Sequence, residues 1–201
     1  MHRIRTHSMK SRTKVAGALF FMIMLSAAVA LAGHLKYSAT HITSKSPEAV
    51  WKVITAYKDI CDKGCKYGRP DLVVVKRLSY KSTPTSWYTW SQIDSTLKDV
   101  RYFTHVTIER TNDGHIIGNN RQLDKSNAAL IEKLEKSTGL KHRPAFDSGN
   151  TRTSTSTAAN GKTKISVLVT LQASGILAMW EGRIRKKMAE NVNRTFSNID
   201  K

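Results

Sequence analysis

Hydrophobic and polar residues alternate along this chain with two different periods, and the switches between the periods mark its elements. Residues 34–43 alternate with period two. Leu35, Tyr37 and Ala39 share one face, and Lys36, Ser38 and Thr40 share the other, which predicts a strand. The stretch SPEAVWKVITAY follows. Ser46 is a good N-cap, Pro47 suits the first helical position, and Glu48 complements the positive end of the helix dipole. Val50, Val53, Ile54 and Tyr57 recur at helical spacing with Trp51 on their flank. This predicts an amphipathic helix that ends near Cys61 and Cys65.

After Pro70 the period returns to two. Strands are predicted at 72–80, at 86–93 with Trp87, Tyr88 and Trp90, and at 100–110. In the last of these, Val100, Tyr102, Thr104, Val106 and Ile108 share a face, and Phe103 and His105 lie on the other. Asn112-Asp113-Gly114 is a hairpin turn, and 115–122 is the returning strand. A helix is predicted over 125–138, capped by Asp124 and stopped by Gly139. Residues 150–158 form a Thr/Ser-rich strand polar enough to suit a sheet edge. Asn160-Gly161 turns it back into a strand at 163–173. The longest pattern closes the chain. Leu177, Trp180, Ile184, Met188, Val192, Phe196 and Ile199 form one apolar stripe over 175–199, with Arg183, Arg185, Lys186, Lys187 and Arg194 off it. Such a helix must pack on the sheet that precedes it.

The first 32 residues read differently. Five basic residues lead into an apolar run from Val15 to Ala32 that ends in Ala30-Leu31-Ala32, a signal-peptidase pattern with Gly33 as the new N-terminus. The run also reaches the length of a membrane span, so an uncleaved anchor is the alternative; the small-residue ending favours cleavage. Residues 33–201 then form one domain, exported, with the bacterial periplasm as the expected location. The formal charge is +18; the leader holds five of the 33 basic residues and none of the 15 acidic ones, which leaves +13. That charge predicts attraction to anionic surfaces and says nothing about the fold.

An oxidising destination makes Cys61 and Cys65 a disulfide candidate. Residues four apart on a regular helix hold their Cβ atoms about 5–6 Å apart, and a disulfide requires about 3.5–4.5 Å. The helix must therefore break between them, where Gly64 stands. A staple is the first reading; free thiols are the second. The spacing lacks further ligands for zinc and is not the C-x-x-C of a redox pair.

No specific catalytic set is present in the sequence: no nucleophile elbow, no phosphate-cradling glycine loop, no zinc helix. His105 is expected to face solvent. The run GNNRQLD at 118–124 reads as an edge strand or loop, or as a polar mouth in which Asn119, Asn120, Arg121 and Asp124 meet a headgroup. Trp87 and Trp90 fall on opposite faces, one in the core and one at a rim. No cofactor and no specific nucleic-acid partner are implied.

The order of elements is strand, helix, antiparallel strands joined mostly by hairpins, and a long C-terminal helix. With SPEAVWKVITAY near the start and GILAMWEGRIRKKMAENVNRTF at the end, the chain resembles the helix-grip superfamily of START lipid-transfer domains, birch-pollen-allergen-like proteins and polyketide cyclases. The resemblance implies an α+β fold: a curved antiparallel sheet of about seven strands wrapped around a long C-terminal helix. It also implies a cavity for a hydrophobic small molecule between them. In this sequence the cavity would be lined by Tyr102, Thr104, Val106 and Ile108, by Val167 and Val169, and by Trp180, Ile184 and Met188. The helix at 125–138 departs from the family pattern, and ligand entry is expected at this helix or near the loop that holds Cys61 and Cys65. A binding or transfer protein is the leading expectation. A cyclase-like enzyme and a binder of anionic membranes or polyanions are the alternatives.

Overall fold

The computed structural model describes residues 33–55, 72–93 and 100–201. Seven strands form one antiparallel sheet in the order β1-β7-β6-β5-β4-β3-β2. These are β1 (Gly33–Thr43), β2 (Leu72–Leu78), β3 (Ser86–Ile93), β4 (Val100–Arg110), β5 (Ile116–Gln122), β6 (Ser148–Thr157) and β7 (Thr163–Ala173). Helix α1 (Pro47–Thr55) follows β1, α2 (Ala128–Thr138) joins β5 to β6, and α3 (Glu181–Ile199) ends the chain. The cysteine pair lies outside the described residues.

Local chemistry places these elements. Ser46 caps α1 by accepting the amide of Ala49 at 3.2 Å. The hairpin turns reverse at Gly114 and Gly161, both with positive φ, a conformation that glycine adopts without penalty. Asp124 builds a capping box with Asn127 around a 3₁₀ turn, Lys125–Asn127, that leads into α2. Gly139 stops α2 at φ 71°, its amide bonding the Glu135 carbonyl. The C-terminal pattern divides into a 3₁₀ turn, Gly175–Trp180, and α3.

Each face of the sheet carries its own core. On the inner face Val50, Ile165, Val167, Val192, Phe196 and Ile199 pack together, joining α1 and α3 to β7. On the outer face Leu78, Trp90, Phe103, Leu123 and Leu134 form a second cluster, with Leu130 and Ile131 of α2 against it. The inserted helix therefore covers the back of the sheet, the side away from α3, and is not placed to gate the inner face. The loop after α2 fixes this layer. The Trp90 indole donates to the Lys141 carbonyl at 2.9 Å, and Arg101 and Arg143 form a backbone bridge.

This second layer corrects three expectations. Trp87 and Trp90 are both buried, one on each face, so neither stands at an exposed rim. His105 is half-buried rather than solvated. It stacks on Tyr88 at 4.6 Å and its Nε2 shares a hydrogen bond with Ser86 Oγ. The polar strand β6 lies in the middle of the sheet, between β5 and β7; the edges are β1 and β2.

The outer layer also predicts an acid sensitivity. His142 Nδ1 accepts the Phe103 amide at 3.0 Å, and the two rings stack nearly parallel. Burial holds the His142 imidazole below its ordinary value, with Glu135 partly opposing. Burial also lowers His105, and the charge of Arg121 adds to it. As pH falls, the unfolded chain binds these protons first. The stabilisation is thus complete above the unfolded value of about 6.5 and is lost as pH drops toward the lower folded values. The unfolding free energy from urea titration is expected to fall between pH 7.5 and 5.5, with a slope well below about 1.4 kcal/mol per pH unit for each histidine because both are partly screened by solvent. His142→Asn, which keeps an acceptor and does not titrate, should flatten that slope.

Candidate functional site

Between the inner face of the sheet and helices α1 and α3 lies a cavity of about 720 Å³, within the range of small-molecule sites. Pairing explains its lining. Residues directly across a ladder share a face, so Val169 stands beside Thr151, Val167 beside Thr153, and Val106 beside Asn120. The alternation that appeared as one apolar set on β4 thus continues across β6 and β5 as hydroxyls and an amide. That is why β6 reads as an edge from its sequence: its inward positions are Thr151 and Thr153, which line the cavity.

Five of the expected residues line this space: Tyr102, Val106, Val167, Val169 and Met188. Four do not. Thr104 is buried on the same face, but its hydroxyl is bonded to that of Thr89 at 2.5 Å, and Thr89 takes the place in the lining. Ile108 pairs with Gly118, where the Trp51 ring fills the space. Trp180 and Ile184 precede the part of α3 that reaches the cavity. There the chain runs along the end of β1, with Arg185 donating to the Lys36 carbonyl at 2.7 Å. The sequence reading passed over Trp51, Thr89, Asn191 and Arg194, which do line the cavity. Helical phase was the available signal: Asn191, Arg194, Thr195 and Asn198 recur at three- and four-residue steps beside the apolar stripe.

Of the run 118–124, Gly118, Asn119 and Asn120 border the cavity, while Arg121 points away and meets Asp124 at 3.6 Å. Gly118 has a specific role. A Cβ there would fall within 3.0 Å of three carbons of the Trp51 ring, so only glycine lets α1 sit this close to β5. No cluster of histidine, cysteine or acidic side chains suited to a metal occurs among the described residues. Nor does any described helix reach the length and apolarity of a membrane span.

A sheet closed on one side by a long C-terminal helix, with a cavity between, is the helix-grip fold of START domains, birch-pollen-allergen-like proteins and polyketide cyclases. The chain is similar in structure to a STAR-related lipid transfer protein from Xanthomonas axonopodis, with a TM-score of 0.59 and 12% identity over 83% of this chain and 86% of that one. It is also similar to human StAR-related lipid transfer protein 5, with a TM-score of 0.54 and 13% identity over 94% of both chains. A third likeness is to the Zhui aromatase/cyclase from Streptomyces sp. R1128, with a TM-score of 0.50 and 11% identity over 84% of this chain and 92% of that one. Sequence comparison with protein-family models and with curated proteins gives no match. These structural likenesses show the shared fold.

Proposed function

We propose that this is an exported protein that binds and transfers a hydrophobic small molecule held between the sheet and α3. The observation that carries the reading is the cavity itself, large enough for a ligand and walled by Val167 and Val169 of β7 and by Met188 and Val192 of α3. Burial of apolar surface there supplies the affinity. The lipid-transfer names of two structural neighbours support the same class of ligand. Native mass spectrometry of protein produced from the full chain in an exporting bacterial host tests it. The expected result is a bound apolar mass released on denaturation, on a polypeptide that begins at Gly33. An apo mass unchanged after incubation with lipid extract would overturn the binding reading. A mass that retains residues 1–32 would overturn cleavage.

Membrane docking is a second reading, and it rests on a different observation. Met179 is 72% exposed at the start of the C-terminal helical segment. Trp180 stands next to it with the Arg183 guanidinium over its ring at 5.4 Å. An exposed apolar side chain beside an aromatic ring and a guanidinium suits an anionic headgroup layer. In vesicle flotation the protein should bind phosphatidylglycerol-containing vesicles more than pure phosphatidylcholine ones, and Met179→Glu should weaken that binding. Equal recovery with both vesicle types would dismiss it.

A further inference from the structure

The cavity is chemically divided. On α3 an apolar stripe that includes Met188, Val192 and Phe196 faces it alongside a polar flank of Asn191, Arg194 and Thr195. A cavity meant only for a featureless hydrocarbon gains nothing from that flank, because buried polar groups without partners are destabilising. Six buried side-chain polar atoms among the described residues have no hydrogen-bond partner. Three of them belong to residues that line this one cavity: Trp51 Nε1, Asn120 Oδ1 and Arg194 Nη1. The Trp51 ring lies over Gly118, which is two residues from Asn120 on the same face of β5. Arg194 is the charged member of the three. The acid nearest to it in the helix, Glu190, forms its ion pair with Lys187 at 3.0 Å and feels the Arg194 charge as well, while Arg194 Nη1 keeps no hydrogen-bond partner.

From this geometry we infer that the ligand is an acidic amphiphile, and that Arg194 is the residue that selects its anionic group. The inference rests on the binding reading above and narrows it from hydrophobic to amphipathic. A guanidinium carries its N–H donors in a fixed plane that matches a carboxylate or phosphate. In a partly enclosed cavity, where Nη1 is shielded from solvent, its attraction for an anion is stronger than at the open surface. The apolar body of the ligand lies along the stripe of α3 and the valines of β7. The indole N–H of Trp51 and the amide of Asn120 offer hydrogen bonds to a further polar group.

The test compares two probes that differ only in charge, cis-parinaric acid and its methyl ester, titrated by fluorescence at pH 8. The protein is expected to bind the acid at least about tenfold more tightly than the ester, equivalent to about 1.4 kcal/mol. Arg194→Met should bring the acid down to the affinity of the ester and leave the ester unchanged. Arg194→Lys should keep part of the preference. Equal binding of acid and ester by the unaltered protein, or a preference that survives Arg194→Met, would overturn the assignment and indicate that solvent satisfies Arg194. In that case the hydrophobic-binding reading would stand. Failure of both probes to bind would also overturn the inference, and a bound mass in native spectrometry would still decide the broader reading separately. Circular dichroism checks the fold of each variant. Were Arg194→Met not to fold, the acid-to-ester ratio of the unaltered protein and of Arg194→Lys would decide.

Discussion

Gly118→Ala is expected to destabilise the protein by about 1–3 kcal/mol, and by almost nothing in a Trp51→Ala background. The new methyl group would enter the Trp51 ring, which is wedged between α1 and β5 and only 7% exposed. The ring has to tilt, and in tilting it disturbs the α1 packing that Val50 anchors in the inner core. Trp51→Ala alone should cost about 3–5 kcal/mol, the range for emptying a buried aromatic position. It also removes the wall at that end of the cavity. Urea unfolding of both single variants and the double variant closes the cycle. A Gly118→Ala cost that is the same with and without Trp51 would show that the ring contact does not set the need for glycine. A strongly negative coupling would show that the Trp51 ring contact is what requires glycine at position 118.

The same pair shows why part of the site was legible in the sequence and part was not. Element order, the two hairpin turns, the capping of α2 and the apolar stripe of α3 are local signals, and the structure follows them closely. Period two on β4 assigned Tyr102 and Val106 to the inner face, and period two on β7 assigned Val167 and Val169 to it; all four line the cavity. What escaped is what depends on partners across the sheet. Gly118 reads as a weak point of a polar strand until α1 is seen lying over it. The Thr/Ser-rich β6 reads as a sheet edge until it is seen between β5 and β7. Arg194 reads as one more surface cation among many, because its helix carries several and only packing tells them apart. Hydrophobicity patterns find cores; they misread cavities, whose linings are mixed. The outer layer escaped for a related reason. Phe103 sits on the less apolar face of β4, and its partners Trp90, Leu123 and Leu134 come from three other segments.

That outer layer leads to the second large effect. Phe103→Ala should lower stability by about 3–5 kcal/mol, as expected for a buried aromatic side chain, because Phe103 is fully buried at the centre of the cluster that α2 covers. The loss goes beyond packing. His142 stacks on this ring and holds the Phe103 amide, and the His142 amide in turn donates to Glu135 at 2.7 Å. Emptying the position therefore loosens the link between α2, its following loop and β4. The inner face should not respond in the same way. Phe103 points to the opposite side of the sheet from Tyr102 and Val106, so the ligand affinity of the folded fraction should stay within about twofold of the unaltered protein, less than about 0.5 kcal/mol. Leu134→Ala, on the helix side of the same cluster, should repeat the pattern with a loss of about 2–5 kcal/mol. Urea midpoints and parinaric acid titrations on the same samples separate the two quantities. A large loss of affinity in folded Phe103→Ala would mean that the outer layer shapes the cavity through the sheet. Retained affinity would mean that α2 was added as a brace on a sheet whose other side does the binding.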